Sequence, residues 1–147
     1  GGVVDAKKID FCKEIMLHGN EIESMMKVIG EDGTSLGDFI IYLKEEMLDA
    51  VYFQQNSFDE VDANCHKERQ NYVIDKLVSI LGSDFELKDR DSARTFFNRL
   101  RQKFIDWNYA PFKSQDFDKL ENEIDKLYEE CGGKLTAQAR ELLKVVG

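Results

Sequence analysis

Two strongly patterned helices meet in the stretch Asp49-Ala-Val-Tyr-Phe-Gln-Gln-Asn-Ser-Phe-Asp-Glu-Val-Asp-Ala-Asn-Cys65. Three consecutive amide residues, at positions 54–56, interrupt the apolar pattern. Amide side chains compete with the backbone for hydrogen bonds and therefore favour helix ends over helix interiors. Ser57 follows, with Glu60 three residues later, which is the spacing of a capping box at a helix start. The stretch therefore predicts a corner, where one helix ends near Gln54 and the next begins at Ser57.

The residues before this corner predict three helices. The first covers about 5–18 and is ended by Gly19-Asn20, and a shorter second helix is stopped by Gly30. The third begins at Ser35, where Asp38 has nearly the spacing of a capping box. Its apolar residues recur every three or four positions over more than four turns: Leu36, Phe39, Ile40, Leu43, Met47, Leu48 and Val51.

The residues after the corner predict the remaining helices. The corner helix is expected to end at Gly82, and residues 84–91 form a polar connection. The next helix ends at Asn108, before Pro111. Ser114 caps a helix that ends at Gly132-Gly133, and Thr136 caps the last helix. No run of alternating apolar residues is long enough to predict a strand. We therefore expect an all-α fold, a bundle of about six amphipathic helices with short loops, in which residues 1–147 form a single domain.

Composition agrees with a packed helical domain. The chain has 147 residues, of which 42% are hydrophobic, with ten Phe, one Trp and a single proline. A chain of this length can bury a core without disulfides or metals. Its formal net charge of −9 would repel backbone phosphates, so nucleic-acid binding is not expected.

The cysteines indicate the redox compartment of the protein, and the first residues indicate how the chain begins. Three widely spaced cysteines without a Cys-x-x-Cys pair favour a reducing compartment over a disulfide framework. No apolar run approaches the roughly 18 residues of a membrane span, and no basic-then-apolar stretch is found at the start, so neither a span nor a secretion signal is expected. Gly1-Gly2 is compatible with a cloning remnant. The abrupt start at Val3 is compatible with an excised domain.

Most chemical motifs are absent from this sequence or have a structural explanation. No Gly-x-x-x-x-Gly-Lys-Ser/Thr loop is present, so the chain alone lacks the phosphate cradle that ATP hydrolysis needs. Cys65 and His66 are adjacent, and adjacent helical residues point about 100° apart, so a zinc site is not expected. No catalytic residue is predicted. The aromatic stripe of Phe96, Phe97, Leu100, Phe104 and Trp107 is interpreted as core, with a partner groove as the alternative.

The amide corner has two interpretations from its residues alone. In the structural one, the amides only satisfy loose backbone groups between two helices. In the functional one, the amides and the aromatic face of Phe58 together read an adenine edge, which needs a flat apolar surface beside hydrogen-bond donors and acceptors. The spacing does not decide between them.

The corner resembles one family closely. Tyr52-x-Gln-Gln-Asn-x-Phe58-Asp, within the stretch 49–62, is similar to a C-terminal motif of the catalytic A subunit of V/A-type rotary ATPases, and the likeness extends over roughly 22–81. The resemblance implies that the chain is the C-terminal helical domain of a longer subunit. It further implies that ATP or ADP with Mg²⁺ binds the full-length subunit, whose phosphate-binding and catalytic groups lie upstream, and that this fragment alone is inactive and binds none.

The resemblance also implies roles for particular residues and partners. Phe58 would pack against the adenine ring, and Gln54, Gln55, Asn56 and Ser57 would line or brace that pocket. The loop Gly30 to Gly37 lies between two predicted helices, and from that position we expect it to face the central stalk through Glu31 and Asp32. The implied partners are the non-catalytic B subunit and the stalk subunits, with no nucleic acid and no membrane insertion. The implied location is cytoplasmic, peripheral to the membrane as part of the complex.

Two alternatives from other classes remain. A free-standing helical adaptor would bind a protein partner through an exposed aromatic stripe that includes Phe96, Phe104 or Trp107. A small thiol- or metal-dependent enzyme would rely on Cys65. The ATPase hypothesis instead expects a buried stripe and a polar corner at the surface.

Overall fold

The fold is a bundle of six α-helices in the described part of the chain. The computed structural model describes the backbone of residues 5–56 and 63–144, and the side chains of these residues apart from 52–56 and 63–66. The helices are α1 (Ala6–Ile29), α2 (Leu36–Asn56), α3 (Ala63–Leu81), α4 (Arg90–Tyr109), α5 (Gln115–Glu130) and α6 (Ala137–Leu143). The all-α expectation is confirmed.

A short antiparallel ladder joins the bundle at one point. Strand β1 (Ser83–Asp84) pairs with β2 (Lys134–Leu135), with Ser83 opposite Leu135. The prediction of no strand was therefore wrong for these four residues. Two residues per strand are too few to produce an alternating pattern in the sequence, so the pairing left no signal there.

The first two predicted helices are one continuous helix, α1, and the expected break at Gly19-Asn20 is wrong. Gly19 is buried where α1 crosses α2, and a Cβ atom built on it would lie 2.3 Å from the Cβ of Glu45. The glycine therefore serves a close helix–helix approach. It does not end a helix. Gly30 does end α1, with φ of 84° in the region that favours glycine.

Several predicted helix caps are confirmed by hydrogen bonds. The Ser35 hydroxyl accepts from the backbone N–H of Asp38 at 3.1 Å, and the Ser114 hydroxyl accepts from Phe117 at 3.1 Å. The Thr136 hydroxyl accepts from Ala139 at 3.2 Å. Each bond satisfies a backbone donor that the first helical turn leaves unpaired. The final helix ends at Leu143, because Lys144 adopts a left-handed conformation with φ of 55°.

The core is built from the aromatic stripe of α4 and the apolar faces of its neighbours. Phe96, Phe97, Leu100, Phe104 and Trp107 are all buried. The Trp107 ring lies 4.8 Å from the Phe117 ring of α5 and 5.5 Å from that of Phe104. Each such side chain contributes about 1.5–3 kcal/mol through burial. The interpretation of the stripe as core is confirmed, and the exposed stripe that the adaptor hypothesis required does not exist.

None of the helices in the described residues combines the length and apolar character needed to cross a membrane.

Candidate functional site

The amide corner begins in the last turn of α2. That helix continues through Asn56, two residues beyond its predicted end, so Gln54, Gln55 and Asn56 all belong to it. Their side chains are outside the described part of the structure. Ser57 and Phe58 lie outside the described residues altogether, as does the predicted helix start, and the next described helix begins at Ala63. The adenine contact therefore stays a prediction.

The helix that carries the amides is firmly anchored. Met47, Leu48 and Val51, in the turns just before them, are almost completely buried in the core. A rigid helix places its end more precisely than a loop does. The backbone of 54–56 therefore continues a helix whose preceding turns are packed into the core.

The second predicted site, the turn between α1 and α2, is fully described. Glu31–Gly33 form one turn of 3₁₀-helix. The backbone N–H of Gly33 donates to the Gly30 carbonyl at 3.2 Å, and that of Thr34 donates to the Glu31 carbonyl at 3.0 Å. Thr34 is buried, and its hydroxyl also donates to the Gly30 carbonyl at 3.2 Å. The turn is thus held by its own backbone.

Two arginines of α4 bind this turn, a contact that was not predicted from the sequence. The guanidinium of Arg90 donates to the Thr34 carbonyl at 3.0 Å and lies 3.5 Å from the Asp32 carboxylate. Arg94 forms an ion pair with Glu31. The two arginines are four residues apart and therefore share a helical face, which is the signal that could have indicated a common acidic partner.

The two acidic residues are consequently unequal. Glu31 is engaged by Arg94, whereas the side chain of Asp32 is fully exposed beside Arg90. A basic partner would have to compete with Arg94 for Glu31 but could approach Asp32 directly. The turn therefore presents less negative charge to a partner than its two acidic residues would suggest.

Exposed apolar residues lie beside the turn, at the end of α1. Met25, Val28 and Ile29 are spaced by three and four positions, so they lie close together on the helix surface, and Val28 is 85% exposed. We call Met25, Val28, Ile29, Glu31 and Asp32 the hairpin tip. Large exposed apolar side chains next to an exposed carboxylate are typical of protein-contact surfaces.

The described cysteines do not support thiol chemistry. Cys12 is buried, and burial raises the pKa of its thiol to about 11. Burial also raises the pKa of Cys131, whose side chain is partly buried. Both shifts disfavour the reactive thiolate. The Cys65 and His66 side chains are outside the described part. Among the residues that are described, no three His, Cys, Asp or Glu side chains cluster in a way that could hold a metal ion.

Comparison with known proteins gives one consistent result. The V-type ATP synthase alpha chain of Borrelia turicatae is 52% identical over 126 residues, which are 86% of this chain and 22% of the relative. The alpha chains of Borrelia hermsii and Borreliella afzelii are 51% and 49% identical over the same shares. The chain thus spans about a fifth of the length of these curated relatives. No family model and no solved structure matches it.

An identity near one half over 126 residues makes the chain homologous to a segment of the V-type ATP synthase alpha chains.

Proposed function

We propose that this chain is the C-terminal helical domain of the catalytic A subunit (alpha chain) of a rotary V-type ATP synthase or ATPase. The observation that carries the proposal is the identity of 49–52% with proteins of that name over most of the chain. In the complete subunit the domain would complete the adenine end of the nucleotide site and transmit ATP turnover to the rotation of the central stalk and to ion transport. Its partners would be the non-catalytic B subunit and the stalk subunits, peripheral to the membrane.

The described residues do not supply the phosphate or Mg²⁺ part of a nucleotide site. They contain no group of three metal-binding side chains, and the sequence has no phosphate-cradling loop. Any contribution to ATP binding would come from Gln54, Gln55, Asn56, Ser57 and Phe58, at the base end. We therefore expect the 147-residue chain by itself to be inactive toward ATP.

The size of the native gene product tests the proposal first. An antibody raised against the chain would be used to blot extracts of the source cells, fractionated into membrane and supernatant. A band several-fold larger than 17.0 kDa that fractionates with a membrane-associated complex is the expected result. A native band at 17.0 kDa would overturn the proposal and favour a free-standing protein.

The adenine role is tested in the assembled complex. Phe58→Ala in the full-length subunit should raise the KM for ATP, because it removes the aromatic face proposed to stack on the base. Phe58→Tyr keeps that face and should restore a KM near the parent value. An unchanged KM in Phe58→Ala would contradict the adenine role without touching the family assignment.

The stalk role is assigned to the hairpin tip, and the structure indicates which substitutions test it cleanly. Glu31→Lys would place a second cation beside Arg94 and disturb the turn itself, so it is a poor probe. Asp32→Lys and Val28→Asp alter fully accessible side chains. Both should lower the number of ions transported per ATP hydrolysed in the assembled complex.

The matched control for these variants is Glu129→Lys, a charge reversal at an exposed residue of α5. It should leave the ratio of transport to hydrolysis unchanged. If Asp32→Lys and Val28→Asp also leave that ratio unchanged, the hairpin tip does not contact the stalk.

A further inference from the structure

Glu45 is the one buried carboxylate among the residues that the structure describes. It lies in the middle of α2 and is 6% exposed, between the core residues Leu43 and Met47. Burying a carboxylate is costly unless a cation or hydrogen-bond donors compensate it. Its surroundings therefore decide whether Glu45 is charged in the folded protein.

Helix α1 covers Glu45 at the Gly19 crossing. A Cβ on Gly19 would lie 2.3 Å from the Glu45 Cβ and 2.7 Å from its Cγ, so only a glycine lets the α1 backbone rest on the Glu45 side chain. The same position is 3.5 Å from the Ile41 carbonyl one turn earlier. The α1 backbone at Gly19 consequently covers the aliphatic part of the Glu45 side chain.

Among the described residues, the charged groups that act on Glu45 are all negative. Asp49 lies one turn further along α2, Glu46 is adjacent on the same helix, and Glu23 faces it from α1. The nearby lysines are directed to other partners. Lys27 lies 3.5 Å from Glu23, and Lys44 donates to the Ser83 carbonyl at 2.9 Å.

We propose that protonation of Glu45 controls how tightly α1 packs on α2: the neutral acid seats α1 at the Gly19 crossing, and its ionisation weakens that contact. Because the two helices carry the hairpin tip at their shared end, ionisation would act on the placement of the tip. The proposal concerns this chain alone and does not depend on the proposed function.

The direction of the pH effect follows from the difference between the folded and unfolded protein. Burial, followed by repulsion from Asp49, Glu23 and Glu46, raises the pKa of Glu45 to about 7. An exposed glutamate in an unfolded chain titrates near pH 4.3. Between pH of about 4.3 and about 7, Glu45 keeps its proton in the folded state and loses it in the unfolded state. The free energy of unfolding is therefore highest below pH of about 4.3 and falls as the pH rises to about 7.

The test compares the 147-residue chain with Glu45→Gln, which keeps the shape of the side chain without its charge. Urea unfolding would be measured from pH 5 to pH 8. The difference between the two proteins should be smallest at pH 5. At pH 8 the variant's unfolding constant should be about tenfold to a hundredfold lower than the parent's. Glu21→Gln, an exposed glutamate of α1, is the matched control and should follow the parent throughout.

Two results would overturn the proposal. One is a ratio of unfolding constants between Glu45→Gln and the parent that is the same at pH 5 and pH 8. The other comes from a carbon-13 NMR titration of the Glu45 carboxyl in the folded parent, which does not require any variant to fold. A midpoint below pH 5 would show that the folded protein holds Glu45 charged throughout the range.

Discussion

Gly82 lies directly against Ala139, and this contact joins the end of α3 to α6. A Cβ atom on Gly82 would stand 2.4 Å from the Ala139 Cβ and 2.9 Å from the Val78 carbonyl oxygen. Neither atom belongs to a flexible side chain that can move aside. The approach of the two elements therefore depends on the missing side chain at position 82.

Gly82→Ala should destabilise the chain by about 1–3 kcal/mol, because overpacking at a rigid contact forces the backbone to shift. Urea unfolding monitored by circular dichroism measures the change. Gly37→Ala is the control, since a Cβ there meets nothing within 4 Å. We expect it to be neutral or stabilising by up to about 1 kcal/mol, as alanine is the better helix former. Equal stabilities of the two variants would contradict the close-contact argument.

Gly19→Ala should also destabilise the folded chain. This is the opposite of the usual effect, because alanine in a helix interior normally stabilises a protein by about 0.5–1 kcal/mol relative to glycine. The reason is the clash with the Cβ and Cγ of Glu45, which α1 can relieve only by moving away from α2. Asn20→Ala, at the next and exposed position, should be neutral or stabilising. A stabilising Gly19→Ala would mean that the helices do not cross as closely as described.

Cys12 should react with iodoacetamide more slowly than Cys131 in the folded chain. With a pKa of about 11, only about one Cys12 thiol in a thousand is ionised at pH 8, and the side chain is buried. Cys131 is more accessible. Peptide mass mapping after timed alkylation distinguishes the sites. In denaturant the two should react at similar rates, and equal rates in the folded protein would refute the expectation.

Lys76→Met should cost about 1–3 kcal/mol of stability, because it leaves a partly buried carboxylate without its cation. Lys76 Nζ lies 2.9 Å from Glu121 and 2.7 Å from Asp125, and its side chain is 18% exposed. Burial opposes its charge, yet the hydrogen bonds to these two acids raise the pKa of Lys76.

The control for this variant is Lys27→Met, which breaks an exposed pair with Glu23 at 3.5 Å. Exposed pairs contribute about 0–1 kcal/mol, so this variant should be close to the parent. Thermal unfolding of both variants at low and high salt would check the contrast. A Lys76→Met variant as stable as Lys27→Met would show that the network between α3 and α5 contributes little.

Much of the fold was predictable because its signals are local. The caps at Ser35, Ser114 and Thr136 are short sequence patterns that act within one turn. The aromatic stripe of α4 is a helical repeat that only a core explains. The break expected at Gly19 failed because the role of that glycine depends on Glu45, a residue of another helix, and no local pattern records such a contact.

For the candidate sites, the location could be predicted from the sequence better than the contacts. The turn at Glu31 and Asp32 was located correctly between two helices, but its binding by Arg90 and Arg94 required the packing of α4 on α2. The sequence likewise gave no indication of the apolar surface of the hairpin tip, because Val28 and Ile29 fit a buried face equally well. The amide corner rests on resemblance, and Ser57 and Phe58 lie outside the described residues.

The ladder between β1 and β2 has a consequence for the order of folding. Its pairing of Ser83 with Leu135 closes a loop of about fifty residues that contains α4 and α5. Closing a flexible loop of that length costs on the order of 3 kcal/mol of chain entropy. Two residues per strand cannot offset this cost, so the ladder forms only after packing of α4 and α5 has brought its strands together. The ladder should therefore form late in folding, and its amides should be among the first to exchange with solvent when the domain opens.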